Sequence, residues 1–142
     1  DPARVVVSPQ VRRAWYSKGD RSIHVGPDSD WTVVVHEYGH HIHTWPTYRG
    51  VTDLVEGFYR ARTEGEQPEV MYQGEQGPEV ARFDRFYQPY VGRVYPWEPA
   101  GGRGEEILSM GLDLLARSPT ALYTLDRGHF YLIWGLLRGI GL

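Results

Sequence analysis

The stretch His36-Glu37-Tyr38-Gly39-His40 carries the residue types and spacing best suited to chemistry in this chain. On an α-helix, residues four apart lie one above the other, so His36 and His40 can aim ring nitrogens at one metal ion. Glu37 then sits beside the metal and not on it. From there its carboxylate can take a proton from water that a zinc ion activates, since zinc lowers the pKa of such water to about 7. This is the arrangement of a zinc-dependent peptidase, with Zn²⁺ as cofactor, Glu37 as general base and a peptide or protein as substrate.

A helix rich in histidine is often only a core or surface helix, and the five-residue pattern also arises by chance. The flanks argue for a real site. Trp31 to Val35 leads into the motif as an apolar run, Asp28, Ser29 or Asp30 can cap the helix, and Gly39 leaves room on the metal face.

Zinc in a catalytic site takes three protein ligands and leaves the fourth position open. An extended motif with a glycine three residues and a histidine six residues past His40 is closed here, because those positions hold His43 and Pro46. His43 approaches the same helix face, yet three ligands on one straight helix do not complete a tetrahedron. The ordinary reading of His41 and His43 is surface histidine near a helix end, where the dipole mildly favours a cation. A carboxylate from a second helix remains. Glu105 and Glu106 open the segment running to Leu115, whose apolar positions 107, 108, 112, 114 and 115 predict a core-facing helix starting at Gly101, Gly102 and Gly104. Acidic residues in a first turn are commonly dipole partners, but adjacent residues point about 100° apart, so one of the pair can cap while the other binds metal.

The two histidines followed by a glutamate on a later helix resemble the gluzincin metallopeptidases. Arg13 to Tyr16, Tyr90 to Tyr95, Glu106 to Gly111 and Phe130 to Gly139 further resemble zincin-like domains of phage head-morphogenesis and prophage proteins. The resemblance implies an α+β, zincin-like fold, with a small mixed sheet, an edge strand before the metal helix and a mostly helical C-terminal half. It favours Glu106 over Glu105 as third ligand, because Glu106 begins the Glu-x-x-Ser register ending at Ser109. It also makes Ile23-His24-Val25 the strand that would pair with an extended substrate. Met110 stands where that family places an aspartate that orients a histidine ligand.

Hydrolysis needs a donor for the developing oxyanion, and Tyr95, His129 and Tyr131 are the candidate catalytic residues for that role. Two other classes fit the same motif: a zinc-stabilised assembly module of a phage-like particle, and a toxin or self-processing peptidase domain.

With 142 residues the chain is sized for one domain, 1–142, with one core. It has no Cys, so zinc must be held by nitrogen and oxygen, and a reducing setting is mildly favoured. We expect a cytoplasmic or virion-associated protein before a secreted one, and no signal peptide is visible at Asp1. A net charge of −3 without a basic cluster disfavours nucleic acid as partner. The longest apolar run, Phe130 to Leu137, is too short for a membrane span.

The elements that must position the motif follow from local patterns. Arg4 to Ser8 and Arg21 to Val25 read as strands, Val11 to Tyr16 as a short helix or turn, and Val51 to Arg62 as a helix capped by Thr52 or Asp53, burying Leu54, Val55, Phe58 and Tyr59. Thr63 to Pro78, rich in Glu, Gln, Gly and Pro, reads as a surface loop. The aromatics between Arg82 and Tyr95 are expected near the cleft, and a final helix from Arg127 to Arg138 is expected to bury Phe130, Ile133, Trp134 and Leu137.

Overall fold

The computed structural model describes residues 2–75, 77–98 and 103–139. Among the described residues, two three-stranded sheets and five α-helices make an α+β arrangement, roughly half of it helical. In the first sheet, β1 (Arg4–Val7) runs parallel to β3 (Ser22–Val25), and β2 (Trp15–Ser17) pairs antiparallel with the other side of β3. Two expectations change here. Trp15 to Ser17 is a strand and not a helix or turn, because Trp15 lies opposite His24 and the two rings stack at 4.5 Å, a cross-strand pair that no local pattern announces. The strand before the helix that carries His36 and His40, β3, is central and not an edge, so its backbone is already hydrogen-bonded on both sides. The free edge that faces the motif belongs to β2.

Helix α1 (Trp31–Thr44) follows, capped by Asp30, whose carboxylate accepts from the Thr32 backbone N–H at 2.8 Å. Helix α2 (Arg49–Arg62) begins earlier than expected, with Tyr48 and not Thr52 or Asp53 at its N-cap. Thr52 instead donates its hydroxyl to the His43 carbonyl at 2.6 Å. The buried stripe of α2 is Val51, Val55, Tyr59 and then Thr63, a strict four-residue repeat that leaves Leu54 exposed.

The segment read as a loop folds into a hairpin, β4 (Glu69–Gly74) and β5 (Gly77–Ala81), extended by β6 (Arg93–Val94). Its polar composition hides the Val70–Val80 and Val80–Val94 pairs that register it.

The C-terminal part is helical, with α3 (Glu105–Arg117), α4 (Pro119–Leu125) and α5 (Arg127–Gly139). The separate α4 is set by Ser118, which caps it by accepting from the Ala121 N–H at 3.2 Å, and by Pro119 in its first turn. Helix α5 buries His129, Ile133 and Leu136, while Trp134 stays half exposed. Ile42, Val55, Tyr59, Ile107, Leu108 and Ile133 form the heart of a core shared by α1, α2, α3 and α5. Gly101 and Gly102, expected at the start of α3, lie outside the described residues. Among the described residues no helix is long and apolar enough to cross a membrane.

Candidate metal centre

Two glycines bring the chemistry together. A Cβ on Gly39 would stand 2.5 Å from the Ser109 Cα, so α1 and α3 touch backbone to backbone at the centre of the motif. Gly104 adopts φ +68° as the residue before α3, a conformation glycine takes without strain, with the Tyr59 side chain packed against it. The first turn of α3 thereby presents Glu106 to the histidine face of α1, at the helix end whose dipole favours an anion.

His36 Nε2 lies 3.3 Å and His40 Nε2 3.5 Å from the same oxygen, Glu106 Oε2. One ligand atom from each residue falls within 4.8 Å of the others, and His36, His40 and Glu106 are the only such group of three among the described residues. Bond lengths of about 2.1 Å in a tetrahedral zinc site put neighbouring donors about 3.4 Å apart. The two nitrogen–oxygen separations match that edge, so this nitrogen and oxygen donor set fits zinc in both chemistry and spacing. Glu105 is not in the group; its Oε1 faces Lys18 Nζ at 3.8 Å.

Glu106 is fully buried, and each of its oxygens is held. Ser109 Oγ donates to Oε2 at 2.8 Å, and the Tyr95 hydroxyl donates to Oε1. Behind Tyr95 stands Tyr90, whose hydroxyl is hydrogen-bonded to Tyr95 and accepts from Arg13 at 2.9 Å and Arg93 at 3.0 Å. Arg93 also pairs with Glu79 at 2.9 Å. Two guanidiniums, two phenols and a serine therefore fix the orientation of one carboxylate. The hydrogen bonds from Ser109 and Tyr95 both run to the Glu106 carboxylate.

The electrostatics follow from this packing. Burial alone would raise the Glu106 pKa, but the hydrogen bond from His36, the two imidazoles and the Tyr95 hydroxyl bring it down to about 2. Burial pulls His36 down while Glu106 raises it, with a net rise; for His40 burial wins and its pKa falls. Tyr95 is pushed far up, first by burial and then by the Glu106 charge, so it stays a neutral donor. Glu37 is buried, with its pKa raised chiefly by desolvation, and the Tyr16 backbone N–H of β2 donates to it. A carboxylate held near water with a raised pKa suits proton transfer.

His36, Glu37, His40, Tyr90 and Tyr95 line one cleft of about 820 Å³, bounded on the β2 side by Trp15 and Tyr16. Of the three expected oxyanion donors only Tyr95 lies there, and its proton is already given to Glu106. His129 is fully buried on α5, with Nε2 2.7 Å from the Ile107 carbonyl oxygen. Tyr131 is 60% exposed and lines a separate apolar groove between α2 and α5. His41 and His43, expected at the surface, are both buried. His41 Nδ1 lies 2.9 Å from the Tyr16 hydroxyl, and neither ring nitrogen of His43 has a hydrogen-bond partner among the described residues. Sequence reasoning missed the Arg13 and Arg93 support of Tyr90, for which no local signal exists. Ser109 was legible only as part of a register.

No protein-family model, curated protein or solved structure matches this chain.

Proposed function

We propose that this protein is a zinc-dependent peptidase with a zincin-like fold, in which His36, His40 and Glu106 hold the metal and Glu37 is the general base. The observation that carries the reading is the meeting of two motif histidines on one oxygen of a buried glutamate, with Glu37 beside them in an accessible cleft. Zinc held there would supply an activated water and a polarised carbonyl.

The protein's own groups account for the remaining steps. Glu37 accepts a proton from the attacking water and returns it to the amine that leaves as the peptide bond breaks. Ser109 and Tyr95 keep Glu106 turned toward the histidines throughout the cycle. The free side of β2, next to Glu37, offers backbone groups to an extended substrate, the role that central β3 has no edge to fill.

The test is zinc stoichiometry together with hydrolysis of an unstructured protein, for wild type and Glu37→Gln in parallel. We expect one zinc per chain in both, chelator-sensitive cleavage by the wild type, and a rate at least about a hundredfold lower in the variant. A wild type without zinc, or a variant that cleaves at the wild-type rate, sinks the proposal.

A further inference from the structure

The cleft carries two exposed cations that the proposed hydrolysis leaves unused. Of its acidic lining groups, Glu37 is the general base, Glu105 faces Lys18, and Asp113 accepts from Arg117 at 2.8 Å. The cations are less fully answered. Arg93 is paired with Glu79, exposed Arg13 donates to the Tyr90 phenol and stands within electrostatic reach of Glu79 and Glu37, and exposed Arg12 has no hydrogen bond or ion pair among the described residues. Both lie in the segment leading into β2, on the side of the cleft where Tyr16 holds Glu37. In a protein with net charge −3, these two exposed guanidiniums beside the reacting groups, with Arg12 unpaired among the described residues, form a local anion-attracting wall.

We propose that the cleft selects peptide segments bearing Asp or Glu next to the bond to be cut, with Arg12 and Arg13 binding the acidic side chain. Guanidinium groups match carboxylates in a planar two-point fashion, so the pair reads charge and shape together. Arg12 is the sharper probe of the two, because removing its charge disturbs no internal bond, whereas Arg13 also steadies Tyr90. This selection rests on the peptidase reading for which bond is cut, but binding can be measured without turnover.

The experiment uses the full chain as the zinc-loaded Glu37→Gln variant. A fluorescein-labelled acidic peptide is compared with its counterpart carrying Asn and Gln in place of Asp and Glu. We expect the acidic peptide to bind several-fold tighter at low salt, and the preference to shrink as salt screens it. Adding Arg12→Gln should weaken the acidic peptide about threefold and leave the neutral one unchanged, the scale of an exposed ion pair. Arg12→Gln with Arg13→Gln should abolish the preference. Equal binding of the two peptides, no binding of either, a preference that survives the double variant, or stronger competition by a single-stranded oligonucleotide than by the acidic peptide each overturns the proposal. Wild-type protein that prefers the acidic peptide and cuts neither would count against the peptidase reading alone. Cutting of both at one rate, with equal binding, would count against acidic selection alone.

Discussion

Helix α1 carries a stripe of three histidines, and its two ends have different fates. His36 and His40 converge on one carboxylate oxygen, while the ring of His43, one turn further along the same stripe, is buried with neither nitrogen hydrogen-bonded among the described residues. Nearby Glu105 does not join it, because Glu105 is turned toward Lys18. Residue type is thus shared along the stripe, and burial is deepest at His43, so burial does not pick out the candidate ligands. What separates a candidate ligand from a packed ring is whether a carboxylate held by its own hydrogen bonds stands within reach. His41 makes the same point on another side of the helix, where a Tyr16 hydroxyl and the Trp45 ring absorb it into the core.

Glu106 is where the two ends of the stripe differ most. Glu106→Ala should weaken zinc binding by about a thousandfold or more, since a site of two ligands loses the tetrahedral set. His43→Leu should leave zinc affinity within about twofold and stability unchanged or slightly higher, because a buried polar ring without hydrogen bonds gives way to an aliphatic side chain. Zinc competition titrations and urea unfolding on both variants check this, and equal zinc loss in the two would erase the distinction.

Gly39→Ala should cost about 3 kcal/mol in urea unfolding, as its Cβ collides with the Ser109 backbone and pries α1 from α3. Wild-type stability in that variant would mean the two helices do not meet so closely.

Acid should act through a buried histidine outside the centre. His129 has its pKa lowered to about 4 from 6.5 by burial, so the unfolded chain binds a proton there more readily than the folded one. Its contribution is complete above pH 6.5 and is lost as pH falls toward 4. At pH 5 this amounts to roughly 2 kcal/mol relative to neutral pH. Urea unfolding at the two pH values should show that loss reduced in His129→Gln, whose amide can still donate to the Ile107 carbonyl; an unchanged loss would assign the acid sensitivity elsewhere.

Tyr95→Phe removes one hydrogen bond to Glu106 and should weaken zinc about tenfold without moving the unfolding midpoint of the metal-free protein by much. Zinc affinity equal to wild type would show that Ser109 alone orients the carboxylate.

Much of the centre was legible in order along the chain. The helical spacing of His36 and His40, the capping position of Asp30 and the apolar period behind Glu106 are local properties, and the elements carrying them form where the pattern puts them. The failures share one cause. Strand β2, the central place of β3 and the β4–β5 hairpin depend on pairing between separate segments, as in the pairing of Trp15 with His24 or Val80 with Val94. The stripe of α2 shows a subtler version, since periodicity allowed Leu54 inward but the neighbouring helices cover Val51 and Val55 instead.

By itself, then, the sequence determined which side chains share a helix face and which donor chemistry a metal would meet, because both depend on residue type and the pitch of a helix. Only the tertiary structure decided that α1 and α3 touch at Gly39, that Glu106 and not Glu105 faces the histidines, and that Arg13, Arg93, Tyr90 and Tyr95 line up behind it. Those outcomes depend on backbone approach and on the burial of charge, which are properties of packed neighbours and not of any segment alone.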